Sequence, residues 1–248
     1  MFIKDINIFW YIGIGLLGLL VGQFLGVINY SLTEHKKIFS VENLKKSLQI
    51  LKSNYYINLI MCFIYLMILF FIGASDWVKV LEYVILSPML VSAFVIDYKL
   101  QIIPSRLTLT MWEAGIIFSF IRGLNNLNAA VEMWIGMLLG AGIFFILTFL
   151  GNLIFKKETM GFGDVKLMGA IGLFLGWRSV IAVAILCFFI AAIYSIVLII
   201  VYKIKKKNLE EFIPFGPFIV IASFVVMFVP FNVLLNIPFF IFTLGRVR

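Results

Sequence analysis

Residues 161–207 read GFGDVKLMGAIGLFLGWRSVIAVAILCFFIAAIYSIVLIIVYKIKKK. From Leu167 to Tyr202 the only charged side chain is Arg178. The run 180–202 is long enough to cross a hydrocarbon core of about 30 Å as a helix. The shorter, glycine-rich run 167–177 reads as a second helix, tilted or partly irregular, that starts earlier in the chain. The stretch closes on KIKKK, the kind of basic flank that stays on the cytoplasmic side of a bilayer. Read this way, the fold is helical and its solvent is lipid.

Working outward, similar apolar runs fall near 8–30, 55–73, 78–97, 107–122, 130–155 and 214–231, with a last one near 233–245. The expectation is an all-α, polytopic transmembrane helical bundle of about eight spans, forming a single domain over residues 1–248. Composition requires lipid independently: 63% of residues are hydrophobic and 13% charged, against about 45–50% and about 25% in soluble domains. A water-soluble fold of this length must keep a largely polar exterior and could not hide so much apolar surface. The run 8–30 is too long for a signal-peptide core and has no small-residue cleavage site, so it reads as a retained first span.

Lysine and arginine set the orientation. With the 31–54 loop cytoplasmic, the inside set is Lys36, Lys37, Lys45, Lys46, Lys52, Lys99, Arg106, Lys156, Lys157, Lys166, Lys203, Lys205, Lys206 and Lys207. The outside set is Lys4, Lys79, Arg122 and Arg178. This bias also requires 167–177 to be a true crossing, since otherwise KIKKK would face outward. Arg246 and Arg248 fall outside for eight spans and inside for nine. Within the 31–54 loop, Val41, Leu44, Leu48 and Leu51 sit at helical spacing, predicting a short amphipathic helix on the inner membrane face.

Several function classes drop out. The net charge of +8 is spread over short loops and forms no basic face, so no nucleic-acid partner is expected. Cys62 and Cys187 both lie in apolar runs and read as small buried hydrophobes. No CxxC pair exists and His35 is the only histidine, so no Cys- or His-built metal site is expected and a Ser-His-Asp triad is disfavoured.

Acids inside spans are costly and therefore informative. Asp97 closes an apolar span in FVIDYKLQIIPSRLT, where Pro104 interrupts the chain before the next span. Asp164 lies in ETMGFGDVKLMGAIGLFLGW, where Gly161 and Gly163 are expected to free the backbone for close approach to a partner. Both carboxylates fall at cytoplasmic span ends. Two such groups brought together would share a proton and perform acid–base hydrolysis by water. The alternative at this level pairs Asp97 with Lys99 or Arg106, and Asp164 with Lys166, as interfacial ion pairs.

The surrounding residues add a resemblance. GFGDVKL at 161–167, with Glu158 and Met160 before it, resembles the GxGD signature of the type IV prepilin leader peptidase family. Asp97 with Ile103, Pro104, Leu107 and Thr108 resembles that family's first aspartate segment. IPFGPF at 213–218 is similar to its Pro-Phe-Gly-Pro element, and GQFLGV at 22–27 to its first-helix element. The resemblance implies an aspartic endopeptidase of the cell inner (cytoplasmic) membrane, its active site facing the cytoplasm, with Asp97 and Asp164 catalytic. Its partners would be membrane lipid and prepilin or pseudopilin precursors, cut between a short basic leader and a hydrophobic helix. Glu158, Gly161, Gly163, Lys166, Pro104 and Gly216 are the candidates for binding substrate or shaping the site. Proteolysis in this family needs no cofactor; S-adenosylmethionine enters only with a second activity, N-methylation of the new terminus. Many members carry two CxxC pairs that bind zinc after the first helix. Here the corresponding loop is short, basic and free of cysteine, so zinc is not expected and methylation is in question. The rivals are another GxGD protease, preflagellin- or presenilin-like, and a transporter using the two aspartates as ion sites.

Overall fold

The computed structural model describes residues 2–3, 6–33, 55–73, 76–156, 160–204 and 213–229. It divides into two compact units, Met1–Phe118 and Ser119–Arg248. A two-residue antiparallel pairing, β1 (Phe2–Ile3) with β2 (Ile6–Asn7), precedes the first helix. Seven helices follow among the described residues: α1 (Ile8–Thr33), α2 (Tyr55–Ile72), α3 (Trp77–Leu100), α4 (Ser105–Asn125), α5 (Leu127–Phe155), α6 (Phe162–Ile204) and α7 (Gly216–Phe228). Six of them are long and apolar enough to cross a membrane.

In the first unit, α1 and α2 pack antiparallel along a stripe of small residues. Gly15 faces Cys62 and Leu66, Gly18 faces Met61 and Cys62, and Gly22 faces Asn58. A methyl group on Gly22 would stand 2.6 Å from the Asn58 Cα, and one on Gly18 2.8 Å from the Cys62 Cα. Only glycine admits this approach, the small-xxx-small packing that serves where lipid removes the hydrophobic drive between helices. The third helix, α3, carries Pro88 in its interior. Proline has no N–H to give, so the Val84 carbonyl one turn earlier loses its helical donor. The Tyr65 hydroxyl of α2 donates to that carbonyl at 2.8 Å, and Ser87 Oγ lies 3.5 Å away. Tyr65 is almost fully buried, so the proline defect also ties α2 to α3. At the other end of the unit the Trp10 and Trp77 rings meet at 5.1 Å, joining α1 to α3.

The second unit is built around α5 and α6. At about 1.5 Å per residue the 43 residues of α6 would span about 65 Å, twice a hydrocarbon core. The helix is broken at Gly176, with φ 76° and ψ 171°, a conformation essentially restricted to glycine. The break reverses the chain. A methyl on Gly140 of α5 would meet both the Met168 carbonyl, before the break, and Val180, after it, at 2.5 and 3.3 Å. Residues 162–175 and 177–204 therefore run back along one another as two arms. Gly136 and Gly172 face each other so closely that a Cβ on either would overlap the other's carbonyl oxygen.

With α6 counted as two arms, the described residues form eight helical segments, consistent with the expected number of spans. The break falls at Gly176 and the first arm begins at Phe162, earlier than the apolar run alone indicates. The chain is a multi-pass membrane protein. The expected amphipathic helix over 41–51 and the run near 233–245 lie outside the described residues.

Candidate functional site

Asp97 occupies the last turn of α3. The helix ends because Gln101 turns left-handed (φ 56°) and its N–H closes on the Asp97 carbonyl at 2.8 Å. Apolar packing holds the chain on both sides: Ile96 precedes the aspartate, and Ile103, Leu107 and Thr108 are buried beyond it. Pro104 accepts from the Leu107 and Thr108 N–H groups at 3.0 and 3.3 Å and so opens α4. Asp97 is 5% exposed, while Tyr98, Lys99 and Leu100 are exposed.

Asp164 occupies the first turn of α6 in the second unit. Its N–H donates to the Gly161 carbonyl at 3.0 Å, and the residue is 7% exposed. Gly161 lies in non-helical backbone immediately before α6. Gly163 is helical, and the left-handed glycines among the described residues are Gly73 and Gly176. Gly161 lies beside the carboxylate: a Cβ there would stand 3.6 Å from Asp164 Oδ2, an ordinary contact. Lys166, half-buried, holds its ammonium 5.5 Å from the Phe162 ring centre. Glu158 lies outside the described residues.

Gly216 opens α7, with Phe215 as cap and Pro217 in the first turn, where a missing N–H costs nothing. The Phe215 ring packs on Phe188 and Phe144 at 5.2 and 6.1 Å, and those two rings lie 5.9 Å apart. Since Gly140 faces Met168 and Val180, one further turn brings Phe144 level with Asp164 on one arm of α6 and near Phe188 on the other. Asp164 and Gly216 therefore share one end of this unit.

The two aspartates have different electrostatic settings. Asp164 sits where the free N–H groups of a helix start favour negative charge, and Asp97 where the carbonyls of a helix end do not. Among the described residues no group of three His, Cys, Asp or Glu side chains could hold a metal. Sequence reasoning missed the buried Asn29 and Ser92 of the first unit. The available signal was polar residues inside otherwise apolar runs.

A family model described as the type IV leader peptidase family matches residues 84–196. A prepilin leader peptidase/N-methyltransferase of Aeromonas salmonicida is 33% identical over 143 residues, covering 58% of this chain and 47% of the relative. The protein of the same name from Aeromonas hydrophila is 32% identical over 154 residues, covering 62% and 51%. The leader peptidase HopD of Escherichia coli is 31% identical over 135 residues, covering 54% of this chain and 83% of the relative. The chain thus spans about half the length of the prepilin leader peptidase/N-methyltransferases it matches. No solved structure matches it.

Proposed function

The chain belongs to the type IV leader peptidase family, and from that premise we propose that it is a membrane aspartic endopeptidase acting on prepilin-like precursors. The cut would fall at the cytoplasmic face of the inner membrane, between a short basic leader and the hydrophobic helix that follows. The observation that carries the reading is a pair of buried carboxylates, Asp97 and Asp164, each at a helix end in an otherwise apolar span.

In this reading the two carboxylates meet and share one proton, because like charges a few ångströms apart do not both ionise. The Asp164 carboxylate takes a proton from water as the oxygen attacks the scissile carbonyl. Protonated Asp97 donates a hydrogen bond to the carbonyl oxygen and then its proton. The resulting gem-diol collapses as the C–N bond breaks, the leaving amine takes the proton held by Asp164, and the new carboxyl returns one to Asp97. No covalent intermediate forms. Gly161 lies beside the Asp164 carboxylate, and Pro104 and Gly216 hold the helix starts. Lys166 serves as a headgroup anchor beside the site, and Glu158 as an acidic contact for a basic leader.

The relatives' second name implies a methyl donor, S-adenosylmethionine. A carboxylate usually grips the ribose diol of such a donor. Apart from the two aspartates, the buried carboxylate among the described residues is Glu82. It stands fifteen residues, about 22 Å, along α3 from Asp97. No methyl-transfer step is derived from the described residues.

The pairing is tested by cross-linking. In a background with Cys62 and Cys187 replaced by alanine, Asp97→Cys and Asp164→Cys are expected to be joined by a short bifunctional thiol reagent. Absence of the cross-link, with both thiols shown to be reactive, would refute the dyad.

A further inference from the structure

Four buried side-chain polar atoms lack a hydrogen-bond partner among the described residues: Oδ1 and Nδ2 of Asn29, Oδ1 of Asn58 and Oγ of Ser92. All four lie in the first unit. Asn29 is 7% exposed and Ser92 1%. Unpaired polar atoms are costly wherever water is excluded, so a carboxamide with both its oxygen and its nitrogen unpaired calls for a ligand that completes it.

Helix register fixes their depth. Asn58 faces Gly22, and seven residues further along α2 Tyr65 donates to Val84. Seven residues from Val84 along α3 is Val91, so Gly22, Asn58 and Val91 share a level, with Ser92 beside it. Seven more residues along α1 reach Asn29, and six more along α3 reach Asp97. The Trp10–Trp77 contact gives the same register from the other end, because nineteen residues on from that pair stand Asn29 and Ile96. Asn29 and Asp97 thus agree in depth to within about 3 Å. Asn58 and Ser92 lie about 10 Å further from that end. Asn29 is also seven residues beyond Gly22, which keeps it on the face of α1 that Gly15, Gly18 and Gly22 turn toward α2.

A peptide bond inside a helix is shielded, so a helical substrate must be opened before it is cut. Each residue unwound bares one N–H and one C=O that lipid cannot satisfy. A carboxamide presents one acceptor and a donor in the same plane, the complement of a bare peptide group. We infer that Asn29 binds the main chain of the opened substrate at the depth of Asp97. This rests on the peptidase reading and adds a substrate-binding residue to it. Main-chain recognition of this kind is indifferent to the substrate's side chains.

The test uses the full chain in lipid nanodiscs and a precursor with a short basic leader before a hydrophobic helix. Asn29→Leu is expected to raise KM on the order of tenfold, the loss of one hydrogen bond. The change in kcat should be small, and the melting temperature should hold or rise, because an orphaned polar atom has been removed. Unchanged KM, or a lowered melting temperature, in Asn29→Leu would overturn the inference. Binding of the same precursor to Asp164→Asn protein, with and without Asn29→Leu, separates the two claims. If wild type cuts nothing, the peptidase reading fails. Equal binding by both Asp164→Asn proteins overturns the role of Asn29 whatever the cleavage result.

Discussion

In the second unit Gly136 and Gly140 lay α5 against the backbone of α6, and Gly176 folds α6 back so that both arms reach the same glycine. In the first unit Gly18 and Gly22 press α1 onto α2 in a similar way, but α3 is held differently. Its join to α2 is a hydrogen bond to a carbonyl that Pro88 left without a donor. The second unit is closed by backbone apposition and an aromatic cluster of Phe144, Phe188 and Phe215. The first keeps the four unpaired buried polar atoms. The second unit thus surrounds Asp164 with close-packed backbone, while the first leaves buried polar atoms unpaired on the helices beside Asp97.

The largest expected effect concerns the proposed pairing of the two aspartates, one from each unit. Asp97→Asn and Asp164→Asn should each reduce cleavage on the order of a thousandfold, with melting temperatures close to wild type. Equal loss in both would bind the units into one active site, and retained turnover in either would separate them. Next comes the seat of Asp164. Gly172→Ala places a methyl where the Gly136 carbonyl stands and should cost about 3 kcal/mol, read as a lowered thermal midpoint in detergent. Gly176→Ala meets no neighbour closer than the Glu132 carbonyl at 3.8 Å, so its cost is backbone strain alone, about 2 kcal/mol. If Gly176→Ala proves the worse of the two, the reversal and not the close approach holds this unit together. The smallest effect falls in the first unit. Tyr65→Phe leaves the Val84 carbonyl to the long Ser87 contact and should cost about 1 kcal/mol.

Much of the architecture was legible in the sequence because a membrane span needs a long apolar run and leaves a coarse signal. The bounds of α2 and α5 follow the runs within a few residues. The break in α6 was harder to place. Trp177, Arg178 and Ser179 look like the polar punctuation between spans, yet the turn is made one residue earlier by the only side chain that tolerates its backbone angles. The roles of Gly18, Gly22, Gly136 and Gly172 depend on which helix lies opposite, and one sequence does not contain that information. Asp97 and Asp164 stood out because charge inside an apolar run is expensive. Asn29 and Ser92 did not, because a neutral polar residue in a span is ordinary until its partners are found missing.

The central claim is tested most directly by incubating the purified chain with a prepilin-type precursor, wild type beside Asp164→Asn, and weighing the new N-terminus by mass spectrometry. The account predicts loss of the basic leader with wild type only, and a one-methyl increment would reveal transfer to the new terminus. An intact precursor with wild type, or the same cut with Asp164→Asn, would contradict it.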